Sequence, residues 1–178
     1  MNPIQHLLDD HRRIMAQVED LRGAVADLGA RGEAAVADAL PVLGRIGHMM
    51  ETQLALHARK EDDALFPKLE AVLGEHDGPV QVMRWEHQMI HSEGERLRRT
   101  LHELHEVEHP QIEAGAEKLR ALAATGGTAE TLKANAEEII RLLDTHFEKE
   151  EEILFPMALN ILDDQMMIEV SDKIEAMR

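Results

Sequence analysis

The chain has no cysteine and no tyrosine, and only one tryptophan and three phenylalanines among its 178 residues. Without cysteine there are no disulfides, thiolate metal ligands, cysteine nucleophiles or iron–sulfur ligation. That composition suits the cytosol, and a cytoplasmic location is the expectation. Scarce aromatics argue against a strand-rich fold, which leans on aromatic and β-branched residues. Positive charge is also short: 19 Lys and Arg against 35 Asp and Glu leave a formal net charge of -16. Nucleic-acid binding needs clustered cations to neutralise phosphates, and an anionic membrane surface attracts basic rather than acidic proteins. Neither partner is therefore expected. No apolar run approaches the roughly 20 residues of a membrane span. Nor does a basic segment followed by an apolar one open the chain.

What is present favours helix. Apolar residues make up 44 % of the chain, mostly Leu, Ala, Ile, Met and Val, interspersed with Glu, Lys and Arg. The length suits one domain with a full core. Ile4, Leu7, Leu8, His11, Ile14, Met15, Val18 and Leu21 fall on one helical face. A second helix is expected from about Glu33 to Leu73, with Pro41 in its first turns. Asp77-Gly78-Pro79 reads as a turn that starts a third helix, running to about Glu108. Thr128 is a candidate N-cap for a fourth, with Glu130 in its first turn. Two further pieces, an additional short helix over about Gln111 to Ala124 and a C-terminal helix within Ala158 to Met177, surround these.

The chain repeats itself. His57-Ala58-Arg59-Lys60-Glu61-Asp62-Asp63-Ala64-Leu65-Phe66-Pro67 recurs as His146-Phe147-Glu148-Lys149-Glu150-Glu151-Glu152-Ile153-Leu154-Phe155-Pro156. Both read H-x3-E-x3-L-F-P. Upstream, Asp10-His11-Arg12-Arg13-Ile14 matches Glu86-His87-Gln88-Met89-Ile90, and Glu19-Asp20-Leu21-Arg22 matches Glu95-Arg96-Leu97-Arg98 in the same register. Two helix hairpins of one design, about residues 1–75 and 79–160, build a four-helix bundle with pseudo-two-fold symmetry.

Each hairpin supplies one histidine from its first helix and an H-x3-E pair from its second. Residues four apart share a helix face, about 6 Å apart along the axis, so His11, His57, Glu61, His87, His146 and Glu150 converge on one interior. That much buried polarity demands a compensating charge. Two divalent ions would provide it, with both glutamates bridging. Imidazole with carboxylate suits iron, and also zinc, manganese or copper. The symmetry breaks where His91 follows His87 at i+4, because the matching position in the first helix is Met15. A three-to-two histidine split would leave one octahedral ion with an open position for a small molecule. The H-x3-acid spacing is weak alone, since it also occurs at His6/Asp10, His91/Glu95, His102/Glu106 and His109/Glu113. The duplicated Leu-Phe-Pro tail and upstream histidine single out the two pairs above.

At these residues, and over about residues 1–160, the chain resembles the hemerythrin family in its HHE cation-binding branch. The resemblance implies an antiparallel, up-down-up-down four-helix bundle around a non-haem di-iron centre with an oxo or hydroxo bridge. By position, His87, His91 and His146 correspond to the ligands of one iron, His11 and His57 to those of the other, and Glu61 and Glu150 to the bridges. Oxygen carriers of the family have H-x4-D on the last helix, where this chain has H-x3-E. The expected function is binding or sensing of a small molecule: oxygen, nitric oxide or peroxide. Alternatives are a di-iron redox enzyme that disproportionates peroxide or reduces nitric oxide, iron storage, or iron–sulfur repair. Repair members usually carry a cysteine-containing N-terminal segment, which is missing here.

The remaining candidates have ordinary readings. His102, His105 and His109 are expected on a solvated helix face, with a surface metal site or an iron-access route as the alternative. His48 reads as a packed or capping histidine. Trp85, Phe66, Phe147 and Phe155 are expected as packing that keeps the site dry. Asp62, Asp63, Glu151 and Glu152 are expected to face solvent.

Overall fold

The computed structural model describes residues 2–74, 78–108 and 128–177, with side chains omitted for 102–108 and 128. Every regular element among them is helical. Helix α1 spans Pro3–Arg31. Asn2 caps it, its side-chain oxygen accepting the Ile4 N–H at 3.0 Å, and Pro3 sits where a missing N–H costs nothing. Gly32 closes it at φ +55°, a conformation that disfavours any side chain, and its N–H donates to the Leu28 carbonyl.

A 3-10 turn, Gly32–Ala35, leads into a long rod made of α2 (Val36–Met49), α3 (Ala55–Lys60) and α4 (Phe66–Leu73). The joints are single π turns, Met50–Leu54 and Glu61–Leu65. Helix α5 spans Pro79–Glu108 and α6 spans Thr128–Lys149. The first N–H groups of α6 receive help from across the fold, because Ala129 donates to Glu33 Oε1 at 2.9 Å. A third π turn, Glu150–Leu154, joins α6 to α7 (Phe155–Ile161). The chain is extended at Leu162, and α8 (Asp164–Glu175) begins under an Asp163 cap. The expected short helix over residues 111–124 lies outside the described residues.

Two of the π turns follow from the repeated Leu-Phe-Pro. Pro67 and Pro156 have no N–H and clash with the carbonyl four residues back, so the preceding turn widens. Each widened turn begins at a repeated glutamate, Glu61 or Glu150. π turns of this kind gather at functional sites. The carbonyl of Asp63 instead accepts from Lys173 Nζ on α8.

The long helices contact one another in a ring: α1 packs on α2 and α6, and α5 packs on α2 and α6. The interior falls into two apolar clusters. One includes Ile14, Val18, Leu54, Ile90, Leu143 and Phe147. The other includes Ile4, Leu7, Leu65, Phe66, Met83, Leu154 and Phe155. The predicted ligands lie between them on all four helices: His11 between Leu7 and Ile14, His57 and Glu61 between Leu54 and Leu65, His87 between Met83 and Ile90, His146 and Glu150 between Leu143 and Leu154. A polar layer thus divides the core.

Helix α8 covers the second cluster. Val170 and Ile174 are buried in it, and α8 contacts α1 and the Glu61–Leu65 turn. Ile174→Ala should therefore destabilise the protein by about 2–5 kcal/mol, measured by urea unfolding. A loss below about 0.5 kcal/mol, typical of a surface change, would show that α8 is not docked.

Candidate metal centre

Six of the seven predicted ligands converge. Glu61, Glu150 and His57 are fully buried, and His11 and His146 are 1 % exposed. The potential ligand atoms form two groups, each with all its atoms within 4.8 Å of one another: His11, His57, Glu61 and Glu150 in one, and Glu61, His87, His146 and Glu150 in the other. Both glutamates belong to both groups. In the first, His11 Nε2 lies 3.1 Å from Glu150 Oε2 and His57 Nε2 3.4 Å from Glu61 Oε2. In the second, His87 Nε2 lies 3.2 Å from Glu61 Oε2 and His146 Nε2 2.9 Å from Glu150 Oε1.

His91 is not among them. It lies one turn beyond His87, on an exposed part of α5, and lines a half-open groove of about 700 Å³. That turn carries it about 6 Å along the axis from His87. The symmetric position, Met15, packs against the first apolar cluster.

Outer carboxylates orient the imidazoles. Because a carboxylate only accepts, the ring nitrogen facing it carries the proton. His11 Nδ1 donates to Glu151 at 2.7 Å, His146 Nδ1 to Glu86 at 3.0 Å and His87 Nδ1 to Asp62 at 3.3 Å. Asp10 Oδ2 stands 3.7 Å from His57 Nδ1. In each case Nε2 is left to point inward. A carboxylate placed behind an imidazole in this way fixes its tautomer and would raise its basicity as a metal ligand. It also obeys the repeat. Asp10 and Glu86 precede the upstream histidines, and each orients the histidine of its own hairpin. Asp62 and Glu151 follow the repeated glutamates, and each orients a histidine of the other hairpin.

Glu151 faces solvent as expected, and Asp62 does so only in part. Each nonetheless turns an oxygen inward. The expectation for Trp85 is corrected: it is 59 % exposed and no part of the packing. Phe66, Phe147 and Phe155 are buried against the site as expected. His48 is exposed. The side chains of His102, His105 and His109 lie outside the described ones.

Three of the four outer acids pair with cations of their own. Lys60, itself buried, donates to Asp10 at 2.6 Å, Lys149 pairs with Glu86, and Arg84 pairs with Asp62 at 3.0 Å. Lys60 and Lys149 occupy equivalent places, each directly before a repeated glutamate. Burial alone would raise the Asp10 carboxyl, but His57 and Lys60 hold it well below the usual range. The sequence signal for this shell was a repeat that extends beyond the ligands, with an acid before the upstream histidine, lysine before the glutamate and an acid after it.

The inner carboxylates have no such partner. Among the described residues, no hydrogen-bond partner reaches either oxygen of Glu61 or Glu150, or Nε2 of His87 or His146, although all are buried. Unpaired buried charge of this kind is costly. His11 Nε2 and His57 Nε2 also face each other at 3.1 Å, and two lone pairs at that distance require a proton or a cation between them. Burial opposes charge on His57, but Glu61, Asp10 and Glu150 push its pKa up to about 9. Burial likewise opposes charge on His87, yet Asp62, Glu150 and Glu61 push it up to about 12. His146 is raised against its burial by Glu150. Glu150 is lowered well below the carboxylate range despite full burial, by His146, His11 and His57. The whole layer is a field that calls for positive charge. The donor set, imidazole nitrogen with carboxylate oxygen, fits divalent transition metals.

The comparisons agree with this geometry. The family model described as the hemerythrin HHE cation binding domain matches residues 2–107 and 100–176. The chain belongs to this hemerythrin family of cation-binding domains. Among curated proteins and among solved structures, nothing matches it.

Removing one orienting carboxylate should weaken metal binding without abolishing it. Glu86→Gln is expected to lower affinity by roughly 10–100-fold, read by competition with a chelator of known affinity. Unchanged affinity would mean that Glu86 serves only its pair with Lys149.

Proposed function

We propose that this protein is a non-haem di-iron protein that binds or senses a small molecule such as oxygen, nitric oxide or peroxide. It is one domain of two helix hairpins plus α8, its ring of four long helices being an antiparallel up-down-up-down bundle. The observation that carries the reading is the sharing of Glu61 and Glu150 by both histidine pairs. Two ions held between the histidine pairs, with Glu61 and Glu150 shared by both, would satisfy the orphaned inward atoms at once. His11 and His57 would hold one ion, and His87 and His146 the other.

In this reading His91 is a wall residue of the groove beside the second ion rather than a resting ligand. The three-to-two split expected from spacing would become an even one. A bound iron pair would supply Lewis acidity and one-electron exchange toward such a ligand. The chain's own residues position it. The outer carboxylates hold each Nε2 inward, the phenylalanines exclude water, and Lys60 and Lys149 balance the outer charge. No tyrosine exists to relay a radical, which favours binding over demanding oxidation.

The test is anaerobic reconstitution with ferrous iron, followed by visible absorption before and after air is admitted. A spectral change that reverses on removing oxygen supports a binding or sensing role. A prompt irreversible change favours redox chemistry or iron handling, and no change in either state contradicts the di-iron reading. His91→Ala should retain the full metal content of the unsubstituted chain by elemental analysis. A loss of metal in that variant would make His91 a ligand.

A further inference from the structure

The two hairpins differ at the residue after their H-x3-E histidine. Phe147 follows His146, whereas Ala58 follows His57. Phe147 reaches across the pseudo-two-fold and stacks on His11, with ring centroids 3.9 Å apart and planes 13° from parallel. Phe155 stacks on the same histidine at 5.4 Å. His11 is therefore covered by two aromatic rings and is 1 % exposed.

His87 is the equivalent of His11. Its counterpart of Phe155 is present, since Phe66 stacks on it at 5.7 Å and 13°. Its counterpart of Phe147 is Ala58, whose methyl group covers almost nothing. The side chain of His87 is 8 % exposed. The space a second ring would fill belongs to the groove of about 700 Å³, which both Ala58 and His87 line. Leu54, Ile90 and Gly94 supply its apolar wall, and His91 stands at its side. A side chain added at Gly94 would meet Met50 at 3.1 Å, so that wall is already tight.

We propose that this groove admits small ligands to the metal pair on the His87/His146 side, and that Ala58 keeps it open. The ligand class is a molecule of two or three heavy atoms, neutral or anionic. The inference rests on the di-iron reading above and reverses one expectation. Ligand counting put the open position beside His11 and His57, the side that Phe147 covers.

The test uses the iron-loaded full chain with azide as the probe, followed by stopped-flow absorption. Ala58→Phe should place a ring on His87 as Phe147 does on His11, and Ala58→Leu should fill part of the same space. The expected result is an association rate slowed by about tenfold or more in Ala58→Phe, because admission must then wait for motion of the protein. Ala58→Leu should fall between it and the unsubstituted chain, with metal content unchanged. Should Ala58→Phe fold poorly, the slowing in Ala58→Leu carries the test. Equal azide rates in metal-loaded variants would overturn the gate and leave the di-iron reading standing. Failure of the unsubstituted chain to take up metal would overturn both.

Discussion

Two buried glutamates with no hydrogen-bond partner set the terms for the rest of this structure. Glu61 and Glu150 are fully buried, and their oxygens face only imidazole nitrogens and one another. Charges taken out of water in this way are tolerated only when matched. Elsewhere in the polar layer the match comes from the protein itself: Lys60 answers Asp10, Lys149 answers Glu86 and Arg84 answers Asp62. Among the described residues, no side-chain cation of fixed charge pairs with the central Glu61 and Glu150. The protein surrounds them with four imidazoles whose outer nitrogens face carboxylates, so the inner lone pairs converge. This layer divides the apolar core in two, and the fold is built on both sides of a site whose charge balance calls for protons or a bound cation.

Much of this was legible in the sequence because the site is written twice. Single H-x3-acid spacings occur throughout so acidic and histidine-rich a chain, but only His57/Glu61 and His146/Glu150 carry the Leu-Phe-Pro tail. The helix spans and the six converging residues follow from that duplication. The π turns were not anticipated, because helical periodicity hides a one-residue insertion. The same Pro67 and Pro156 that ended each motif were nevertheless the cause of two of the three described, Glu61–Leu65 and Glu150–Leu154. The orienting shell was missed for a different reason. Asp62 and Glu151 are acids on helices of a strongly acidic protein, for which solvent exposure is the ordinary expectation. Trp85 erred the other way: proximity to His87 in sequence suggested burial, whereas helical geometry turns it outward.

Departures from symmetry matter most for function. Spacing drew attention to His91 opposite Met15, a ligand-type difference. The structure places His91 on the groove wall and adds a second difference, Phe147 opposite Ala58. One histidine pair is sealed by aromatic rings, and the other borders a groove. A duplicated scaffold supplies two equivalent clusters of potential ligand atoms, and two substitutions suffice to make their surroundings unequal. Family membership establishes cation binding; the inequality is where a role in handling small molecules would arise.

The most direct measurement is an anaerobic equilibrium titration of metal-free protein with ferrous iron, with bound metal counted after free ion is removed. The account predicts two ions per chain, and almost none when Glu61 and Glu150 are both replaced by glutamine. A native chain that binds one ion or none, or a double variant that still binds two, would contradict it.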